Sequence, residues 1–204
     1  MDKNGTDFDA VYDEFYTRIS RYLKQLVGER EAEDLTQEVF IKVNKGLSDF
    51  KGQSKLSTWI YRVATNTALD RMRSSSFQRD RQRIRLENPG DASEGKGEDV
   101  CVDEKGLSAE REAIRKEMTE CIRSFVGRLP ENYRTVLALS ELKDLKNHEI
   151  AEILGVSLDT VKIRLHRARV RLKEEFEGGC SFYHDEDGQL ACDRKGRNPD
   201  KKQE

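Results

Sequence analysis

The chain has 204 residues, 37 Lys and Arg against 39 Asp and Glu, a formal net charge of −2 and 35% hydrophobic residues. That length admits one globule or two small domains, and the near-balanced charge excludes a globally cationic protein, so any nucleic-acid role must rest on where the charges sit. No apolar run approaches the ~20 residues of a membrane span, and the opening MDKNGTDFDA lacks the cationic and apolar blocks of a signal peptide; no membrane insertion and a cytoplasmic location are expected.

Residues 8 to about 72 carry helical periodicity, with Phe8, Tyr12, Phe15 and Tyr16 early and Leu35, Val39 and Val43 at steps of four. In DLTQEVF (residues 34–40), Asp34, Gln37 and Glu38 lie one helical turn apart on an exposed face while Leu35 and Val39 point inward. Such a face offers carboxylates and an amide to a partner protein. Acidic residues placed near a helix start by the dipole give the same pattern. Downstream, Gly52, Gln53 and Ser54 form a flexible polar loop before a helix expected to be capped near Ser57. Trp59, Arg62, Asn66 and Arg73 share one face of that helix, and Ile60, Val63, Ala64 and Thr67 another. An aromatic plane, a guanidinium and an amide together suit a single-stranded base, although a lone Trp serves the core equally well. Asn66 is a poor helix former with no cap to make, which points to a polar recognition task.

Between Arg73 and Gly106 the apolar signal collapses into SSS, spaced arginines and the Pro-, Gly- and acid-rich ENPGDASEGKGED, a linker composition. Periodicity resumes near Leu107 and runs, with a break at Leu129-Pro130, to about Phe176. The pattern predicts an all-α protein of two small helical domains: residues 1–73, a flexible polar linker over 74–106, a second domain over 107–177 and an extension over 178–204.

The second domain contains a helix-turn-helix pattern. Asn147 is positioned to cap a short amphipathic helix, residues 147–154, with Ile150, Ile153 and Leu154 inward, and Gly155 ends it. Ser157 caps the next helix, on which Val161, Leu165, Ala168 and Leu172 form one buried stripe. Lys162, His166, Arg169 and Lys173 flank the stripe on one side and Arg164, Arg167 and Arg171 on the other. A helix with one apolar edge and two cationic flanks can dock on its domain while its first turns enter a major groove and its basic rows contact phosphates. The short preceding helix and the Gly-containing turn favour that reading over a merely solvated face.

DLTQEVFIKV (34–43), FKGQSKLSTWIYRVATNTALDRMR (50–73) and LPENYRTVLALSELKDLKNHEIAEILGVSLDTVKIRLHRAR (129–169), in this order across a polar linker, resemble the bacterial sigma factors of the extracytoplasmic-function group. The resemblance implies a transcription initiation factor, not an enzyme and needing no cofactor, that binds core RNA polymerase and directs it to promoter DNA. It assigns polymerase docking to Asp34, Gln37 and Glu38. Capture of a flipped minus-ten base falls to the loop from Lys51 through Gly52, Gln53, Ser54 and Lys55, with Trp59, Arg62 and Asn66. Minus-thirty-five reading falls to Ser157, Thr160, Lys162, Arg164, His166 and Arg167, with Ile163 and His166 at outward positions where relatives vary. It further implies a connector through the polymerase RNA channel, in which the acidic run at 94–104 mimics nucleic-acid charge, with a merely flexible tether as the equal alternative, and an anti-sigma factor of the kind relatives commonly have as a partner. The alternative is a free-standing helix-turn-helix or metal-responsive regulator, which would need a dimerisation or effector domain in place of the docking helix and base-capture loop.

The tail departs from the short family pattern. Gly178 and Gly179 break the helix, and Asp187-Gly188 is a turn pair between Phe182-Tyr183 and Leu190-Ala191, predicting a hairpin with Cys192 opposite Phe182. Cys180, His184 and Cys192 would then share a face, a donor set suited to zinc or copper, with Asp185, a partner chain or solvent as fourth ligand. A thiol switch between Cys180 and Cys192 and a plain solvated extension are the competing readings. Cys101 and Cys121 show no ligand spacing, and Cys121 reads as a small core residue.

Overall fold

In a computed structural model the described residues are 7–75, 77–79, 109–142, 145–184 and 190–195. The linker expected over 74–106 lies mostly outside them, as do the acidic run at 94–104, Cys101, Asp185 and the Asp187-Gly188 turn.

The N-terminal block is built on α1 (Phe8–Val27), α2 (Glu29–Leu47) and α3 (Leu56–Arg73). The Asp7 carboxylate accepts the Asp9 N–H to start α1, and Val11, Phe15, Ile19, Tyr22, Leu23 and Leu26 follow at helical spacing on its buried face. Gly28, at φ +90°, turns the chain directly into α2, a conformation that L side chains rarely adopt. On α2 the predicted steps of four place Leu35, Val39 and Val43 inside, joined by Ala32, Phe40 and Leu47. Each such fully buried aliphatic side chain contributes about 1.5–3 kcal/mol relative to exposure.

Helix α3 closes the block. Buried Tyr22 and Thr65 share a hydroxyl hydrogen bond of 2.8 Å, and burial pushes the Tyr22 phenol well above its ordinary range. Arg71 pairs with Glu31 at 2.7 Å, tying the end of α3 to the start of α2. The N-cap of α3 is Lys55, not Ser57: the helix begins at Leu56, without a side-chain cap.

The C-terminal block comprises α4 (Ala109–Arg128), α5 (Glu131–Ser140), α6 (Asn147–Leu154), α7 (Leu158–Gly179) and a hairpin of β1 (Cys180–His184) with β2 (Leu190–Arg194). Pro130 separates α4 from α5; having no N–H, it suits the position just ahead of a first turn. The span of α6 agrees with the sequence pattern, but Lys146 rather than Asn147 is its N-cap, with the Glu149 carboxylate accepting the Lys146 backbone N–H at 2.7 Å. Gly155 is left-handed (φ +63°, ψ 35°) and ends α6 as expected. Ser157 caps α7 through the Thr160 N–H at 3.2 Å. The hairpin is antiparallel, with Phe182 opposite Cys192, the predicted register.

Both anticipated blocks are present, and here they pack against each other. The buried cluster runs from Ile19, Val39 and Ile60 through Val136 and Leu139 to Ile150, Val161 and Leu165. Helix α3 lies on α6, and α1 on α5. Buried Arg134 of α5 donates to the Gly127 carbonyl and meets Met72 Sδ at 3.2 Å, so a cation from one block sits against the other.

Candidate nucleic-acid interface

Helix α7 buries its predicted stripe, Val161, Leu165 and Ala168, with Leu172 half-buried. Its opposite faces are wet. Lys162, His166 and Arg167 are exposed, Thr160 and Arg164 half-exposed, and Ile163 stands out at 51% exposure. Lys162 is 3.8 Å from Asp159, one turn back, a long and solvated ion pair that leaves the ammonium available to another anion. Ser157 and Thr160 share a 2.8 Å hydroxyl contact at the first turn. Towards the other end Arg171 stacks over the Tyr133 ring, 5.2 Å from its centroid, which fixes α7 on α5. A helix held from behind by its stripe and at its rear by this stack presents its first three turns outward.

On the opposite block Asp34, Gln37 and Glu38 are all exposed on α2. Glu38 pairs with Lys42 at 2.7 Å, and Lys42 in turn donates to Thr67 on α3. The face is acidic and solvated, as the spacing implied.

The loop and helix expected to hold a base are divided in their fates. Lys51, Gly52 and Gln53 are exposed and Ser54 half-buried, with Gly52 at φ +67° making the turn. Asn66 is exposed on α3, flanked by the buried Thr65 and Thr67. Trp59, by contrast, packs inward: its ring lies 5.4 Å from Phe50, and a Cβ at Gly46 would come within 3.0 Å of it. Gly46 is therefore what admits the indole between α2 and α3. Arg62 turns to α6, donating to the Glu152 carbonyl at 2.8 Å and meeting its carboxylate at 3.3 Å. Lys55 reaches the Glu149 carboxylate at 2.8 Å. Glu149 is 3% exposed, and the Lys55 ammonium and Lys146 N–H together hold its carboxyl below the usual carboxylate range.

Glu149 and Glu152 were not legible as site residues. The only signal was Glu149 three positions after Lys146, the spacing of a capping box without its usual Ser or Thr.

The tail departs from the expected ligand set. Cys180 and His184 do share a face of β1, but four residues of strand separate them by about 13 Å, too far for one ion. Cys180 is buried at the foot of the hairpin and His184 is exposed. Among the described residues no group of three or more His, Cys, Asp or Glu could hold a metal ion. Cys180 instead faces Cys121 of α4, with the sulfurs 3.7 Å apart and Cys121 half-buried. The pairing of Cys180 with Cys192 is disfavoured too, because the register makes them diagonal neighbours, about 7–8 Å apart.

This arrangement has counterparts among known proteins. Residues 11–78 match the family model described as Sigma-70 region 2, and residues 119–172 match that of Sigma-70, region 4. The chain is 31% identical to the RNA polymerase sigma factor SigZ of Bacillus subtilis (strain 168), over 91% of this chain and 96% of that protein. The chain belongs to the extracytoplasmic-function sigma factors. To the ECF RNA polymerase sigma factor SigW of the same organism this sigma factor is 31% identical, over 82% of its own length and 88% of the relative's. Its fold resembles that of CnrH, solved with the cytosolic domain of CnrY, at TM-score 0.56 and 20% identity over 84% of this chain and 88% of that one. The sigma factor RpoE of Bartonella quintana, solved with the anti-sigma factor NepR, is similar at the same score and identity, over 84% and 97%. As a sigma factor it is a transcription initiation factor that binds core RNA polymerase and promoter DNA. Among the described residues no helix is long and apolar enough to cross a membrane.

Proposed function

We propose that this sigma factor docks on core polymerase through Asp34, Gln37 and Glu38 of α2 and captures a minus-ten base with the loop 51–55 and Asn66. In the same reading it reads the minus-thirty-five element with Ser157, Thr160, Lys162, Arg164, His166 and Arg167. The observation that carries the reading is the exposure pattern of α7. Its apolar stripe is buried, its cationic flanks face solvent, and Ser157, Leu158 and Asp159 at its start are exposed beside the Gly155 turn. Trp59 takes a supporting role, shaping the loop from behind by packing on Phe50.

The free protein is closed in this reading. Lys55 and Arg62, both assigned to the minus-ten side, are held by Glu149 and Glu152 of the other block. Polymerase binding separates the blocks and exchanges these carboxylates for DNA phosphates. The place of work is the cytoplasm, and an anti-sigma protein that prolongs the closed state is a partner to seek by affinity capture.

Run-off transcription with purified core enzyme and genomic fragments tests the function and yields the promoter. Asp34→Lys combined with Glu38→Lys should abolish transcripts while leaving the helical signal in circular dichroism intact. Full transcription by that variant would remove the docking assignment.

A further inference from the structure

We propose that Cys121 and Cys180 form a peroxide-responsive dithiol whose oxidation fastens the C-terminal hairpin to α4. Their sulfurs lie 3.7 Å apart although 59 positions separate them in sequence, one on α4 and the other at the junction of α7 and β1. A disulfide requires about 2.05 Å, so closure is a movement of under 2 Å within reach of χ1 adjustments. The surroundings hold the pair in register. Phe125 of α4 meets Phe176 of α7 edge to face at 5.1 Å, and Phe176 meets Phe182 of β1 at 5.9 Å. Gly179 completes the seat: a Cβ there would lie 2.7 Å from the Phe125 ring, so only glycine lets the helix end approach so closely. The Lys195 N–H then donates to the Gly179 carbonyl, bringing the far end of the hairpin back to the same point.

Exposure sets the order of the chemistry. Cys121 is half-buried and Cys180 only 4% exposed, so the peroxide meets Cys121 first. The Cys121 thiolate attacks one peroxide oxygen, breaking the O–O bond, giving a sulfenic acid and releasing one water after proton uptake. The Cys180 sulfur then displaces the sulfenic oxygen, forming the S–S bond and releasing a second water. Two thiols and one hydrogen peroxide thus become one disulfide and two waters. The cross-link closes a loop containing the end of α4 and all of α5, α6 and α7, the whole helix-turn-helix, and restricts the unfolded chain accordingly.

The test uses the full chain carrying Cys101→Ser and Cys192→Ser, which keeps both proposed partners, beside the unmodified protein. Each is treated with stoichiometric hydrogen peroxide, alkylated with iodoacetamide and mapped by mass spectrometry without reduction. The expected product in both is one intramolecular link between the Cys121 and Cys180 peptides, two hydrogens lighter than the dithiol and reversed by dithiothreitol. Thermal unfolding should shift upward by about 5 °C or more on oxidation. Alkylation of Cys121 and Cys180 after peroxide, a link from Cys180 to Cys192 or Cys101 in the unmodified protein, or covalent dimers in place of the internal link would overturn the proposal.

Discussion

The Lys55 ammonium lies 2.8 Å from the Glu149 carboxylate, joining the loop ahead of α3 to the first turn of α6. The same carboxylate accepts the Lys146 backbone N–H, so one buried group both caps a helix of the DNA-binding block and holds a cation of the other.

Glu149→Gln keeps an acceptor for the Lys146 N–H and removes the charge. Because the native environment lowers this carboxyl's pKa, its stabilisation is fully present above the ordinary carboxylate value of about 4.3 and disappears as pH falls through the lowered native value. Urea titrations should find the variant less stable by about 1.5–3 kcal/mol at pH 7, the range for a hydrogen bond to a charged group, with the gap closing at acid pH. A gap unchanged down to acid pH would mean that the charge is not what Glu149 contributes.

Glu152→Lys sets a cation against Arg62. The 2.8 Å bond to the Glu152 backbone carbonyl survives any substitution at this position, so repulsion rather than truncation is needed to open the contact. Small-angle scattering should show an expanded free protein, and stopped-flow assembly with core polymerase should be severalfold faster. Unchanged scattering with unchanged assembly would remove this contact from the gating step.

Asn66→Ala alters an exposed side chain that makes no contribution to the buried cluster. Polymerase affinity should stay within twofold while promoter opening, followed by permanganate reactivity of unpaired thymines, falls at least tenfold. Parallel losses in both assays would place Asn66 in docking or folding instead.

Lys162→Ala and Arg164→Ala remove cations from the exposed flanks of α7. Each should weaken holoenzyme binding to a promoter containing the minus-thirty-five element and reduce the slope of log affinity against log salt by about 1. Identical slopes for both variants and the parent protein would mean that α7 does not lie on the phosphates.

Much of the secondary structure was legible because it depends on near neighbours. The i, i+3 and i+4 stripes on α2 and α7, the Gly155 stop, the Ser157 cap and the hairpin register are all set within a few residues. The helix starts at Lys55 and Lys146 were not, since neither residue advertises a cap and the one at Lys146 is completed by the Glu149 side chain. Trp59 illustrates a different limit. Its face on α3 follows from the sequence, but its burial depends on the small residue at Gly46 on another helix.

By itself the sequence determined the helical character of each block, the basic flanks and apolar stripe of α7, the acidic face of α2 and the pairing of β1 with β2. Each is a matter of periodicity or turn chemistry, and periodicity is a property of the chain alone. Only the tertiary structure decided that Lys55 and Arg62 meet Glu149 and Glu152, that Trp59 fills a notch, and that Cys180 faces Cys121 rather than Cys192. Those outcomes join residues 13 to 94 positions apart, and no local pattern encodes which distant surface a given face will meet.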